Sequence, residues 1–347
     1  MSAEENEMQG SLLNLLETRF PSRENMGVFH LARIGEGWEN DVYSFRVGYD
    51  EGGERRSEDL ILRIYPGDDA LEKSFREFNT MRRLHQLDFP VPNVLLLDSD
   101  RSPFGKPFVI MEKIDGRLMG DVFFESPRGK RRELITQFCK MLVDLHNLKW
   151  EPFVADPSAY TALTPQGFVQ QKLSQAQERF HSLGKNEFDD VLDWLKERTP
   201  HIRFGRLSLV HWDYHPWNVL LGGDGAAFVI DWSSAEIPEF RFDLGWTLLL
   251  VSTHAHRRLG KAVLREYERI ACVRIDHVEY FEVAACLRRL FAVLVSFTDG
   301  PTKVGMRPGA EAEIRRHVVP LKRVHALLRR RTGITIPKTE ALLRSLS

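Results

Sequence analysis

Three oxygen-bearing side chains stand at a fixed spacing in the second half of the chain. The segment His211–Asn218 contains Asp213 and Asn218 in the pattern H-x-D-x-x-x-x-N, and Asp231 follows in the next apolar stretch. Carboxylate and amide oxygens are hard ligands, and Mg²⁺ takes one or two protein carboxylates together with phosphate oxygens and waters. These residue types therefore predict a magnesium and phosphate site.

A predicted β-hairpin positions the three side chains. Two short apolar strands flank the glycine-rich turn Gly222–Gly225, which is typical of a hairpin. In the register that this turn sets, we expect Asn218 and Asp231 to emerge side by side at its open end. Asp213 lies on a tight loop containing Pro216 and can fold back toward them.

The elements along the chain divide into a small β-rich part and a larger helical part. Residues 28–65 predict an antiparallel hairpin with a long loop at Gly48–Ser57, and a helix follows over residues 69–85. A second strand pair is predicted at 94–97 and 108–111. Beyond Gly116 the periodicity predicts helices at 131–149, 167–183 and 186–198, and several more between 243 and 331.

Composition excludes several classes of protein. The 347 residues, 28% charged and 43% hydrophobic, are enough for a sizeable core and rule out collagen-like or low-complexity chains. Three widely spaced cysteines without a C-x-x-C pair argue against a disulfide framework or a zinc site. The acidic start MSAEENEMQG is unlike a signal peptide, and the apolar runs are too short to span a bilayer. We therefore expect a cytoplasmic protein with no membrane partner.

The net charge of −1 hides an asymmetry. Residues 251–347 carry 19 Lys and Arg against 9 Asp and Glu, whereas residues 1–250 carry 29 against 40. Such a basic region can contact an anionic partner or lie on solvated helix faces. It lacks interleaved aromatic residues and a recognised module, so no nucleic-acid partner is predicted.

The pattern that contains Asp213, Asn218 and Asp231 also resembles that of a known protein family. H-x-D-x-x-x-x-N, followed by the hairpin and Ile230-Asp231-Trp232, resembles the catalytic loop and metal-binding Asp of the aminoglycoside phosphotransferase and choline kinase family, relatives of the protein kinases. The resemblance spans roughly residues 28–250. It implies an α+β, protein-kinase-like two-lobed fold with a small antiparallel β N-lobe and a larger, mainly helical C-lobe. The corresponding division is a nucleotide-binding lobe at 1–111, a hinge at 112–116 and a catalytic, substrate-binding lobe at 117–347.

Further stretches match the family in the right order. Ile34–Tyr43 resembles its nucleotide loop, in which Gly35, Gly37 and Asn40 bring the backbone close to the phosphates. The segment Phe108–Gly116 resembles the family's hinge between lobes.

Three other positions receive roles from the same resemblance. Arg63 stands where the family strand presents a Lys, and Glu77 on the following helix is its expected partner. Arg binds phosphate bidentately and keeps its charge, so it can replace Lys with a different reach. Backbone groups of Glu112 and Ile114 are expected to bind adenine.

The resemblance implies phosphoryl transfer from Mg-ATP, with GTP not excluded, to a hydroxyl of a small molecule. Asp213 would orient the acceptor hydroxyl and take its proton. Asn218 and Asp231 would hold Mg²⁺ on the phosphates.

Alternatives to this activity remain open. A catalytically weak, nucleotide-binding pseudokinase is consistent with Arg63 and with the absence of a G-x-G-x-x-G loop. A protein kinase is disfavoured because only eleven residues separate Asp231 from Asp243, too few for a long activation loop.

The acceptor itself is not determined by the sequence, nor is the oligomeric state. Aminoglycosides are polycations, and the basic C-terminal region argues modestly against them. Choline needs an aromatic cage, and sugars, amino alcohols, macrolides and acidic metabolites also remain. Aromatic residues do lie close to the motif in the sequence: Trp212, Tyr214, Trp217, Trp232 and Trp246.

Overall fold

The computed structural model describes residues 3–34, 40–99, 103–161 and 164–346. The chain forms two compact units. The first comprises residues 1–116, 222–233 and 299–313, and the second comprises residues 117–221, 234–298 and 314–347. Two stretches from the later part of the sequence therefore belong to the first unit.

The first unit is built on a five-stranded antiparallel sheet in the order β1-β2-β3-β5-β4. The strands predicted at 94–97 and 108–111 are confirmed as β4 and β5. The sheet consists of β1 (Glu24–Arg33), β2 (Asp41–Glu51), β3 (Glu54–Ile64), β4 (Val94–Asp98) and β5 (Phe108–Glu112).

The prediction of a long loop at Gly48–Ser57 is wrong. Strands β2 and β3 stay paired through this stretch, and a two-residue turn at Gly52 and Gly53 connects them. Both glycines have positive φ, +59° and +82°, which is what a tight hairpin turn needs to match strand twist. The polar residues that resembled a loop form cross-strand ion pairs instead, such as Arg55 with Asp50.

The first unit also contains helices α1 and α2. Helix α2 (Ala70–Gln86) confirms the helix predicted at 69–85 and buries Met81 and Leu84. Helix α1 (Ala3–Arg19) was not predicted, because its sequence is mostly polar. It nevertheless inserts Leu12 and Leu16 into the core beneath the sheet.

The predicted hairpin forms from β7 (Val219–Gly222) and β8 (Ala227–Val229), and its turn is closed by the Gly222 amide donating to the Ala226 carbonyl at 2.8 Å. Residues 222–233 are tied into the first unit by the Val229 amide, which donates to the Pro90 carbonyl at 2.9 Å.

The second unit is mainly helical, and the helices predicted at 131–149, 167–183 and 186–198 are confirmed as α4, α6 and α7. A short strand β6 (Gly116–Leu118) precedes them, and α11 (Ala310–Arg316) begins in residues of the first unit. The other helices are α3 (Met119–Glu125), α4 (Arg128–Asn147), α5 (Pro157–Thr161), α6 (Pro165–Ser182), α7 (Asp189–Arg198), α8 (Arg241–Leu250), α9 (Arg257–Ala271), α10 (Val278–Thr298), α12 (Val318–Thr332) and α13 (Pro337–Ser345).

Helices α8 and α10 pack closely on each other in this unit. A Cβ atom on Gly245 would lie 2.7 Å from the Cβ of Phe281, so only glycine permits this close approach. A π-helical turn at Val251–Ala255 continues α8. No helix in the described ranges is long and apolar enough to cross a bilayer. The three cysteines are free thiols.

Candidate active site

Arg63 is the centre of a buried polar cluster in the first unit. It lies on β3, is 8% exposed, and donates from NH1 to Glu77 Oε1 at 3.0 Å. Its NH2 forms an ion pair with Asp231 Oδ1. With the Asn40 amide oriented to satisfy its neighbours, Asn40 Oδ1 accepts from Arg63 Nε at 3.0 Å. The cluster thus brings together four residues that the sequence assigned to nucleotide or metal binding.

Glu77 lies on α2 and is fully buried. Its carboxylate accepts from Arg63, from the Tyr65 hydroxyl and, at 3.0 Å, from the amide of Trp232. Burial raises the pKa of Glu77, and the positive charge of Arg63 opposes that rise. The pKa of Arg63 is itself raised, because the Asp231 and Glu77 carboxylates more than offset its burial. The predicted pairing of Arg63 with Glu77 is therefore present in the structure.

Asp231 occupies an unusual backbone position. Strand β8 ends at Val229, and Asp231, two residues further on, has φ of +70°. A non-glycine residue with positive φ is uncommon and concentrates at functional sites. Its side chain is 30% exposed, and Oδ1 also accepts from Ser233 Oγ at 3.1 Å.

Asp213 is the centre of a second polar cluster, in the second unit. Its Oδ1 accepts from the indole nitrogen of Trp246 at 2.8 Å, and its Oδ2 lies 3.5 Å from His215 Nε2. Asn218 ends the 3₁₀ turn Pro216–Asn218, and its Nδ2 donates to the carbonyl of Asp213 at 3.0 Å and to Oδ2 at 3.2 Å. Two of the predicted site residues are thus in direct contact.

The electrostatic surroundings keep Asp213 ionised. Partial burial of the carboxyl opposes ionisation, but His215, the Trp246 indole and Arg288 outweigh it and hold the pKa of Asp213 well below its usual range. The side chain remains 35% exposed. The group is therefore a fixed, accessible carboxylate.

Asp243 braces the loop that carries Asp213. Its carboxylate accepts from the amides of His211 at 2.8 Å and Trp212 at 2.9 Å, and His146 Nε2 lies 3.3 Å away. The bonds hold Trp212 at φ of +63°, a conformation that is strained for a bulky residue.

Arg288 is a site residue that the sequence did not indicate. It comes from the apolar helix α10, donates to the Trp212 carbonyl at 2.6 Å, and lies over the rings of Trp212 and Trp246 at 5.1 and 4.2 Å. In the sequence, Arg288 appears only as one of two adjacent arginines in an apolar stretch, and no motif distinguishes it.

The remaining predicted positions lie apart from these clusters or outside the described residues. Gly35 and Gly37 fall in the part that the structure does not describe. Glu112 ends β5, and its amide donates to the Asn93 carbonyl at 2.8 Å. Ile114 follows, partly buried and outside the strands.

The donor chemistry of the clusters fits a magnesium ion bound mainly through a nucleotide. Among the described residues there is no group of three or more His, Cys, Asp or Glu side chains that could hold a metal. Mg²⁺ uses few protein carboxylates and keeps phosphates and waters. A single partly exposed carboxylate such as Asp231 matches that requirement.

The model of the phosphotransferase enzyme family matches residues 30–281. The chain belongs to that family. The match includes Arg63, Glu77, Asp213, Asn218 and Asp231.

Two curated relatives match a large part of this chain at low identity. Acyl-CoA dehydrogenase family member 10 of Mus musculus is 24% identical over 76% of this chain and 26% of its own length. Acyl-CoA dehydrogenase family member 11 of Pongo abelii is 23% identical over 62% of this chain and 27% of its own. The chain thus spans about a quarter of the length of these relatives.

Solved structures of the family share the fold. A Ralstonia eutropha protein superposes with a TM-score of 0.62 at 18% identity, covering 96% of this chain and 98% of its own. A GDP complex of aminoglycoside 2'-phosphotransferase-IIIa gives 0.59 at 15% identity, covering 94% and 97%. Aminoglycoside phosphotransferase APH(4)-Ia, solved with ADP and hygromycin B, gives 0.55 at 17% identity, covering 92% and 98%. The predicted α+β, protein-kinase-like fold class is confirmed.

Proposed function

We propose that this phosphotransferase-family protein moves the γ-phosphoryl group of Mg-ATP to a hydroxyl of a small molecule. The observation that carries the proposal is the Asp213 carboxylate, accessible, ionised and fixed by Trp246 and Asn218. In the reaction the acceptor oxygen forms a bond to the γ-phosphorus, and the bond to the β-phosphate oxygen breaks. The products are a phosphate ester and ADP, and the acceptor proton passes to Asp213.

The other residues have distinct proposed roles. Asp231 supplies a carboxylate oxygen for the Mg²⁺ that accompanies the phosphates. The side-chain nitrogen of Asn218 donates to Asp213, so the amide oxygen of Asn218 is the atom that serves as a second ligand. The metal offsets charge on the transferred group. Arg63 provides a permanent charge for the phosphates, with Asn40 and Glu77 orienting it. The nucleotide is bound by Gly35 and Gly37 and by the backbone of Glu112 and Ile114. GTP is an alternative to ATP as this nucleotide.

The charges and aromatic rings around Asp213 limit the chemical classes of acceptor that can bind there. Arg288 already lies over Trp212 and Trp246, so a quaternary ammonium such as choline finds these rings covered by a cation. A polycationic aminoglycoside also meets repulsion from the positive charge of Arg288. A neutral or anionic acceptor is therefore favoured.

The test is ADP release with Mg-ATP across a panel of alcohols. The Asp213→Ala variant should lose about 10²–10⁴-fold in kcat, the usual contribution of a general base. Asp193→Ala, at an exposed position on α7, is the matched control and should keep full activity. Equal turnover in the Asp213 variant and in the control contradicts the assignment.

A nucleotide-binding pseudokinase is the second candidate. The ion pair between Arg63 and Asp231 favours it, because it engages the proposed metal ligand in an internal contact. Thermal shift with ATP, with and without Mg²⁺, separates the two. A pseudokinase that uses the fold without the metal gives the same shift in both conditions and no phosphate ester.

A further inference from the structure

Lys73 is a buried, charged side chain on α2 that the proposed reaction does not use. It is 7% exposed, and lysine is rarely buried without a partner, because its ammonium group loses hydration there. The ammonium donates to the Gly305 carbonyl at 2.6 Å and lies 3.7 Å from Asp69 Oδ2. The buried charge therefore connects the start of α2 to a residue 232 positions further along the chain.

The acceptor of this hydrogen bond lies in residues 299–313, which fold into the first unit. Gly305 follows the 3₁₀ turn Pro301–Val304, and its amide donates to the Thr302 carbonyl of that turn at 3.1 Å. Gly305 has φ of +72°, which favours glycine. A Cβ atom at this position would clash with the Lys73 ammonium, so an alanine there would displace the ammonium from the carbonyl.

Lys73 and Glu77 lie one turn apart on the same buried face of α2, since residues four apart share one side of a helix. The Glu77 carboxylate accepts from Arg63 at 3.0 Å and from the amide of Trp232 at 3.0 Å. Trp232 directly follows Asp231 in the chain. A shift of α2 therefore changes the surroundings of the proposed phosphate ligand and of the proposed metal ligand together.

We propose that Lys73 is a positioning residue for nucleotide binding. Its bond to Gly305 sets the position of α2, and with it the Glu77 carboxylate that orients Arg63. A displacement of the helix would separate the buried ammonium from its acceptor, and a buried donor without an acceptor is costly. The proposal rests on the proposed function and adds a residue that acts on the nucleotide site through Glu77.

The first experiment measures the affinity of the full protein for Mg-ATP by calorimetry. Lys73→Met removes the charge and keeps a side chain of similar length, so α2 loses its connection to Gly305. The dissociation constant should rise about tenfold, which corresponds to one misplaced charge-assisted hydrogen bond from Arg63. Lys303→Met is the control, because Lys303 is 51% exposed and pairs with Asp68 at the surface. Equal affinities in these two variants overturn the proposal.

A matched pair of glycines tests the same contact from the other side. Gly305 and Gly309 have φ of +72° and +83°, so alanine imposes a similar backbone cost at both, but Gly309 has open space around it. Gly305→Ala should weaken Mg-ATP binding about tenfold, and Gly309→Ala should leave it unchanged. Because Gly305→Ala keeps the lysine, it decides the outcome if Lys73→Met does not fold.

Combining the two substitutions tests whether they act on one contact. The double variant Lys73→Met/Gly305→Ala should lose about tenfold in affinity, as either single variant does, and not the roughly hundredfold of two independent effects. Additive losses, or equal affinities in the two alanine variants, overturn the proposal.

A spectroscopic readout separates positioning from a contribution to stability alone. Labelling with carbonyl-¹³C Asp and ¹⁵N Trp selects the amides of the two Asp-Trp pairs, Trp194 and Trp232, and Trp194→Phe identifies them. In Lys73→Met the Trp232 amide proton, which donates to Glu77, should shift upfield and exchange faster with solvent, while the Trp194 signal stays in place. An unchanged Trp232 signal in the folded variant overturns the proposal.

The same signal distinguishes this proposal from the proposed function. It is recorded without nucleotide, so it does not depend on catalysis or on ATP binding. If the wild type binds no Mg-ATP, the proposed function is refuted, and the Trp232 signal alone decides whether Lys73 positions Glu77.

Discussion

Replacing Glu77 with Ala is expected to destabilise the protein strongly. Glu77 is fully buried and accepts three hydrogen bonds, from Arg63, Tyr65 and the Trp232 amide. Removing one partner of a buried ion pair costs about 3–5 kcal/mol, because the other charge stays buried without compensation. Arg63 keeps its contacts with Asp231 and Asn40, which moderates that part of the loss.

The Tyr65 hydroxyl adds to the cost, because a buried donor left without an acceptor costs about 1–3 kcal/mol. These costs overlap in one cluster and are not additive, so we expect a total loss of about 4 kcal/mol. The matched control is Glu72→Ala on the same helix. Glu72 is 71% exposed and pairs with Arg76, so its loss should be below about 0.5 kcal/mol.

Urea denaturation followed by circular dichroism measures both variants. The second step is a double-mutant cycle with Tyr65→Phe, which should give a coupling energy of about 1.5–3 kcal/mol, as for hydrogen bonds to charged groups. A loss for Glu77→Ala no larger than that for Glu72→Ala would refute the reasoning. So would a coupling energy near zero, because Tyr65 and Glu77 would then not interact.

Three further predictions follow from particular contacts. Gly120→Ala should destabilise the protein by about 1–3 kcal/mol through overpacking against Trp217, measured by urea denaturation, whereas Gly129→Ala, with open space around it, should be nearly neutral. Arg63→Lys keeps the charge but cannot contact Glu77, Asp231 and Asn40 with separate nitrogens. The affinity for Mg-ATP, measured by calorimetry, should therefore fall about tenfold, which is equivalent to one lost charge-assisted hydrogen bond. An unchanged affinity would show that the separate contacts of the guanidinium nitrogens do not matter for nucleotide binding. Burial raises the pKa of Glu239 to about 7 despite its partner Arg241, so the folded state keeps a proton that the unfolded chain releases near the ordinary pKa of about 4.5. The free energy of unfolding should therefore fall by up to about 3 kcal/mol as the pH rises from 4.5 to 7. Thermal unfolding measured across this pH range should show a weaker pH dependence in the Glu239→Gln variant.

The parts of the fold that the sequence predicts well are those with strong periodicity. Helix α2 has apolar residues on one face, and strands β4 and β5 are short apolar runs between turns, so their positions agree with expectation. Helix α1 was missed because a few buried leucines in a polar segment give little signal, and tertiary packing supplies most of the stability of such a helix. The turn at Gly52 and Gly53 was hidden among charged residues that pair across the strands.

The site shows the same division between local and distant information. Asp213 and Asn218 are five residues apart, so their contact follows from one loop and a motif. The pairing of Arg63 with Glu77 followed from a family resemblance. Arg288 has no such signal, because it approaches the loop from α10, 75 residues beyond Asp213 in the sequence. Only tertiary structure brings a side chain that distant to the loop.

The charge asymmetry of the chain shows why position matters more than number. The basic run Arg329, Arg330 and Arg331 is exposed to solvent, so it adds to the positive total without entering the Asp213 cluster. Arg288 is one charge among the 19 basic residues of that region, yet it helps to lower the pKa of Asp213 and lies over two tryptophan rings. Charges beyond a Debye length of about 8–10 Å are largely screened when they face solvent, whereas partly buried charges are screened much less. The preference for a neutral or anionic acceptor therefore rests on Arg288, and removing the exposed arginines should leave it unchanged.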